Sequence, residues 1–193
     1  MPRFSVIIPV YNKEKQLSNT IESVIKQRFE DFELIVVNDG ATDTSEAIIK
    51  SFTDPRIHYI KQKNQGVSVA RNTGINAANA DYIALLDADD LWKEDYLQQI
   101  DALIDGYPKQ HVFATVCTIE SRGKMYKPTY SVANLSPDKS YVLPYFASSY
   151  INTILTSSST VVHKDVFEKI GHYNPTLRSG EDTDLWIRLG LAY

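Results

Sequence analysis

Residues 82–92 read YIALLDADDLW, an apolar run followed by three carboxylates in four positions: Asp87, Asp89 and Asp90. At neutral pH such groups repel one another, and carboxylates aimed at one point are costly unless a cation lies between them. A divalent ion would remove that cost. Mg²⁺ and Mn²⁺ favour hard oxygen ligands, and Mg²⁺ usually takes one or two carboxylates beside phosphates and water. In an extended segment, residues i and i+2 face the same side. Asp87 and Asp89 are then expected to converge on the ion, while Asp90 turns away or caps a helix beginning near Trp92–Lys93. The competing reading, that all three merely solvate a strand-to-helix turn, weighs evenly on motif content alone.

Three other residues bear on that choice. Asp39, in VVNDGATD, sits in Asp-Gly turn chemistry, and is either a turn former or a hydrogen-bonding group for a base or ribose. Arg71 interrupts the small, apolar stretch GVSVARNTG, where a guanidinium can pair with phosphates or with the aspartate cluster. Tyr11 follows the first apolar run and is placed to stack on a base.

The elements that must position these residues alternate along the first 120 positions. FSVIIPV (4–10), FELIVVND (32–39), RIHYIKQ (56–62) and YIALLD (82–87) read as strands. Between the first two, Leu17, Ile21, Val24 and Ile25 fall at helical spacing. Asp43 or Thr44 is expected to cap a helix through Ile49 and Phe52, with Glu46 completing a capping box. VSVARNTGINAANA reads as another helix, and Tyr96, Ile100, Leu103 and Ile104 form the stripe of the next. This alternation argues for β-α-β units, and the near-continuous apolar strands for a parallel sheet covered on both faces. In such sheets the ligand crevice lies beyond the carboxyl ends of the strands. There, PVYN, NDG and DADD put polar groups at one edge.

After Glu120 the texture changes. Residues 121–150 read as a loop-rich insertion, with Tyr126, Tyr130, Tyr141, Tyr145 and Tyr150 either packing a loop or stacking on a sugar. TSSSTVVHKDVFEKIGHYNP then reads as a strand, a short helix and a turn. The final EDTDLWIRLGLAY carries Leu185, Trp186 and Leu189 on one helical face with nothing after it to cover them, so a truncated chain or an oligomer is expected. The four histidines show no metal-ligand spacing.

The whole 193-residue chain is long enough for one domain. A net charge of −4 without a basic block disfavours nucleic acid as a partner. Cys117, the single cysteine, cannot form an intrachain disulfide and reads as a buried, inert thiol in HVFATVC. A reducing, cytoplasmic setting is expected, with membrane contact peripheral and at the inner face.

In order along the chain, SVIIPVYNKEKQL, ELIVVNDGATD, NQGVSVARNTGI, YIALLDADD and SGEDTDLW closely resemble the bacterial family 2 glycosyltransferases, inverting enzymes of the GT-A fold. The resemblance implies an α/β architecture with a Rossmann-like, mostly parallel central sheet and helices on both faces. It implies a nucleotide-binding part over about residues 1–120 and an acceptor-binding part over about 121–193, and that Pro9, Tyr11, Asn12 and Glu14 form the nucleotide loop. By the same likeness Asp39 contacts the base (typically uracil), and Arg71 lies near the nucleotide. Asp87 serves ribose and metal, with Ala88 beside it, and Asp89 is the direct ligand of Mg²⁺ or Mn²⁺. Asp182 is the general base, with Glu181 next to it. The expected reaction is transfer from a UDP-sugar to a hydroxyl of a saccharide or lipid-linked acceptor, in cell-surface polysaccharide synthesis. Trp186 either lines the acceptor pocket or belongs to the core.

Other functions are testable against the same residues. A nicotinamide enzyme needs G-x-G-x-x-G after the first strand, where this chain has PVYNKEK. A sugar nucleotidyltransferase, a phosphorylated receiver domain and a catalytically silent binding module remain as alternatives.

Overall fold

The computed structural model describes residues 1–121, 123–130, 139–149, 151–152 and 154–193. Strand β1 (Phe4–Val10) leads through helix α1 (Leu17–Ile25) to β2 (Phe32–Asp39), and α2 (Ser45–Ser51) leads to β3 (Ile57–Gln62). Next come α3 (Val67–Ala77), β4 (Tyr82–Leu85), α4 (Tyr96–Gly106) and β5 (Val112–Ala114). A hairpin of β6 (Ile119–Ser121) and β7 (Lys124–Tyr126) follows, and then α5 (Tyr145–Ser148), β8 (Thr160–His163), α6 (Asp165–Ile170) and α7 (Glu181–Ala192).

Six strands form one sheet in the order β3-β2-β1-β4-β8-β5. The first four run parallel, and β8 enters antiparallel between β4 and β5. Every residue of β1 and β2 is buried, as strands covered on both faces require. Their side chains alternate between two cores. Phe4, Val6, Ile8, Leu34 and Val36 pack with α1, α2 and α4, while Ile7, Ile35 and Val37 pack with α3, α6 and α7. Gly74 lets α3 approach the sheet, since a Cβ there would lie 2.4 Å from Cγ2 of Ile7.

Register shapes the crevice. Ile7 pairs with Leu85, the last residue of β4, whereas β1 continues beside β2 to the pair Val10 and Asn38. The resulting step at the carboxyl edge holds residues 86–90.

Several expectations need correction. Asp87 and Asp89 do not share an extended segment. The Asp90 N–H donates to the Asp87 carbonyl at 3.0 Å, closing a turn. The next helix starts at Tyr96, so Asp90 is not its cap. Glu46 closes no capping box, being drawn instead to Lys50 and Lys61 at 2.7 and 2.6 Å. Asp43 does accept from the Ser45 N–H at 2.9 Å. The supposed loop after Glu120 contains the β6–β7 hairpin, whose three-residue exposed strands leave no periodic signal. Cys117 is only partly buried, with its Sγ 3.9 Å from the Tyr130 hydroxyl. Of the five tyrosines, Tyr150 lies outside the described residues. Tyr145 packs against the second core, while Tyr126 and Tyr141 are exposed.

The face of α7 is also resolved differently. Leu185, Trp186 and Leu189 are buried against this chain's own sheet, so they provide no reason to invoke a partner. Among the described residues, no helix is long and apolar enough to cross a membrane.

Candidate active site

The Asp87–Asp90 turn is anchored from both sides. The Thr20 hydroxyl of α1 donates to the Ala88 carbonyl at 3.0 Å, and Ala88 itself is buried. From the other side, Ser158 accepts from the Asp87 N–H at 3.1 Å and donates to Asp90 Oδ2 at 2.5 Å. The Trp92 indole N–H reaches the Ser158 carbonyl at 2.7 Å. Crowding away from water, then repulsion from Asp87 and Asp89, pushes the Asp90 carboxyl up from its ordinary range, against the pull of Ser158 and Lys13. A fixed backbone therefore presents Asp87 and Asp89 without letting them relax apart.

Arg71 lies at the centre of the site, only 3 % exposed. Its Nη2 donates to Asp87 Oδ1 at 2.8 Å, and its Nη1 to Asp182 Oδ1 at 2.8 Å and Glu181 Oε1 at 3.2 Å. The Tyr173 ring covers the guanidinium, its centroid 5.0 Å from Cζ. Asn72 holds Tyr173 in place by two hydrogen bonds to its backbone, at 2.8 and 3.0 Å. The sequence left phosphates or the aspartate cluster as partners for Arg71; the structure places it on the cluster.

Asp182 and Glu181 open α7, behind the left-handed Gly180. A helix amino end favours anionic side chains. The Ser157 hydroxyl also donates to Asp182 Oδ1, at 3.0 Å. Burial pushes the Asp182 carboxyl up, with Asp87 and Glu181 adding to the shift while Arg71 and Ser157 oppose it. A carboxyl raised in this way is a stronger proton acceptor than an ordinary aspartate once ionised.

The loop after β1 lies beside the Asp87–Asp90 turn, where Lys13 pairs with Asp89. Asn12, at φ +51°, accepts from the Thr42 N–H at 2.8 Å, and Glu14 accepts from the N–H and hydroxyl of Thr44 at 3.1 and 2.7 Å. Both side chains thus tie this loop to residues 42–44. Pro9 is buried within β1, while Tyr11 stands 47 % exposed and free to take a planar ligand. Asp39 is 2 % exposed. Its oxygens accept from Gln62 at 2.7 Å and from the N–H groups of Gln65 and Gly66 at 3.0 and 2.8 Å, so it braces the loop into α3.

Lys13 was not singled out in the sequence, yet its ammonium pairs with Asp89. It is a stand-in for a cation at the position expected to bind metal. Among the described residues, five carboxylates (Asp87, Asp89, Asp90, Glu181, Asp182) face two cations, Arg71 and Lys13, leaving more acidic than basic groups at the site. Among the described residues no three acidic, histidine or cysteine side chains are arranged to hold a metal alone. The Asp87 and Asp89 carboxylates on one turn are the hard oxygen donors that Mg²⁺ or Mn²⁺ would take, one or two at a time, beside substrate phosphates. Ser157 and Ser158 were also missed; the only sequence signal was the serine run before β8. Trp186, 1 % exposed, belongs to the core rather than to an acceptor pocket.

Residues 5–171 match the family described as Glycosyl transferase family 2. Glycosyltransferase GlyA of Streptococcus pneumoniae is 39 % identical over 127 residues, covering 64 % of this chain and 18 % of GlyA. Minor teichoic acid biosynthesis protein GgaB of Bacillus subtilis is 34 % identical over 188 residues, covering 94 % of this chain and 20 % of GgaB. The crystal structure of S. aureus TarS in complex with UDP-GlcNAc superposes with a TM-score of 0.81 at 24 % identity, over 98 % of this chain and 53 % of that one. This chain therefore spans about a fifth of those two relatives and about half of the solved structure.

Proposed function

The chain belongs to glycosyl transferase family 2 and is a glycosyltransferase, and from that premise we propose that it transfers a sugar from a UDP-sugar to an acceptor hydroxyl with inversion. The observation that carries this reading is the single guanidinium joining Asp87 on the donor side to Asp182 on the acceptor side. Leaving group and attacking hydroxyl need opposite electrostatic help, and here the two sets of groups face each other across one crevice.

Asp182 takes the acceptor proton as the hydroxyl oxygen attacks the anomeric carbon, and the bond to the diphosphate breaks with its electron pair leaving on the diphosphate. Attack opposite the departing group inverts the anomeric centre. Asp89, with Asp87, would hold Mg²⁺ or Mn²⁺, which supplies positive charge for the departing diphosphate. Tyr11 stacks on the base beside the loop that Asn12 and Glu14 brace, and Asp39 holds the loop that closes this side. Binding of UDP-GlcNAc by TarS and the teichoic acid role in the name of GgaB support a UDP-sugar donor and a cell-surface saccharide or lipid-linked acceptor.

A thermal-shift screen of nucleoside diphosphates and their sugars, with and without Mn²⁺, tests base, metal and donor together. Stabilisation by UDP and a UDP-sugar, greater with Mn²⁺, is expected, followed by UDP release on turnover. Pyrophosphate release would instead identify a nucleotidyltransferase, and the absence of any nucleotide response would overturn the proposal.

A further inference from the structure

We infer that Arg71 is a positioning residue for the proton-accepting carboxylate. This deepens the reading above and rests on Asp182 as the base. The guanidinium is spoken for on three sides. Nη2 is held by Asp87 and Nη1 by Asp182 and Glu181, while the Tyr173 ring covers a face. Among the described residues its Nε is buried with no hydrogen-bond partner, so the group has given up a donor to keep this orientation. A phosphate at either terminal nitrogen would have to compete with these half-buried carboxylates.

The bonding of Asp182 is asymmetric. Among the described residues, Arg71 and Ser157 both donate to Oδ1, at 2.8 and 3.0 Å. Oδ2 is left to receive the proton. Clamping one oxygen fixes the direction in which the other points, and a rigid planar fork does this where an ammonium could not. Because the same fork holds Asp87, the distance between the base and the donor-side turn is set by one side chain. Ser157 and Ser158 repeat the link with neighbouring hydroxyls, to Asp182 on one hand and to Asp87 and Asp90 on the other.

The test compares Arg71→Ala, Arg71→Lys and Ser157→Ala, using UDP and Mn²⁺ for calorimetry and the donor found by the screen for turnover. Arg71→Ala should bind UDP within about threefold of the parent while turnover at saturating donor falls about 100-fold, the loss expected for an ångström-scale misplacement. Added guanidinium ion should restore part of that turnover, and ammonium at equal ionic strength should not. Arg71→Lys should behave similarly, and Ser157→Ala should lose about tenfold in turnover with UDP affinity intact. UDP affinity lost with saturated turnover intact would overturn the inference, as would turnover per folded molecule unchanged beside a lowered melting temperature. Should Arg71→Ala not fold, the other two variants decide by the same criteria. Asp182→Asn separates the two claims. If it turns over normally, the base assignment falls; if it is inactive while the Arg71 and Ser157 variants lose only affinity, the positioning role alone falls.

Discussion

In the first 120 residues Tyr11, Asp39 and Asp87 each follow closely on the strand that aims them: Tyr11 after β1, Asp39 closing β2, Asp87 just past β4. In residues 121–193 the order is reversed. Ser157 and Ser158 precede β8, and Glu181 and Asp182 begin α7. The physical reason is strand direction. Because β8 runs antiparallel to β4, its beginning, not its end, lies at the edge where the parallel strands finish. Strand-end motifs therefore reveal the aspartates of the first region and pass over the serines, although the two regions meet in one hydrogen-bond network.

The largest expected effect tests whether the two regions do separate jobs. Asp182→Asn should cut turnover by about 10²- to 10⁴-fold, the range for losing a general base, while UDP binding by calorimetry holds. Loss of UDP binding in that variant would merge the regions. Asp89→Ala should do the opposite, removing the gain in UDP affinity that Mn²⁺ confers; a Mn²⁺ response equal to the parent's would break the assignment of the donor side.

Stability sharpens the comparison from another direction. Gly74→Ala drives a Cβ into Ile7 beneath the shared sheet, and overpacking of this kind costs about 1–3 kcal/mol. A fall of roughly 2–4 °C per kcal/mol in a single melting transition is expected. Two transitions would mean that the regions unfold separately although β4 of the first pairs with β8 of the second.

Smaller effects concern charge. Since burial raises the Asp182 carboxyl, the rate should decline on acidification at a pH above the ordinary aspartate range, because the base works only when ionised. A pH–rate profile flat down to the ordinary range would contradict it. Lys13→Met should tighten Mn²⁺ binding in the absence of nucleotide, by at most about fivefold, as an exposed ion pair contributes no more than about 1 kcal/mol. Electron paramagnetic resonance of free Mn²⁺ reads this directly, and weaker binding in the variant would assign Lys13 a supporting role instead.

The sequence alone determined the alternation of strands and helices, the burial of β1 and β2 on both faces, and the gathering of polar groups at the strand ends. Those features are local: apolar runs, helical spacing and turn residues act within a few positions. Only the tertiary structure decided which charges meet. Arg71 and Asp182 are 111 positions apart and Lys13 and Asp89 are 76, and no periodicity encodes pairs so distant. The turn at Asp87–Asp90 shows the same limit. Its spacing suggested an extended pair, but the step between β1 and β4, with Thr20 and Ser158 holding it from opposite sides, bends it into a turn in which Asp87 pairs with Arg71 and Asp89 with Lys13.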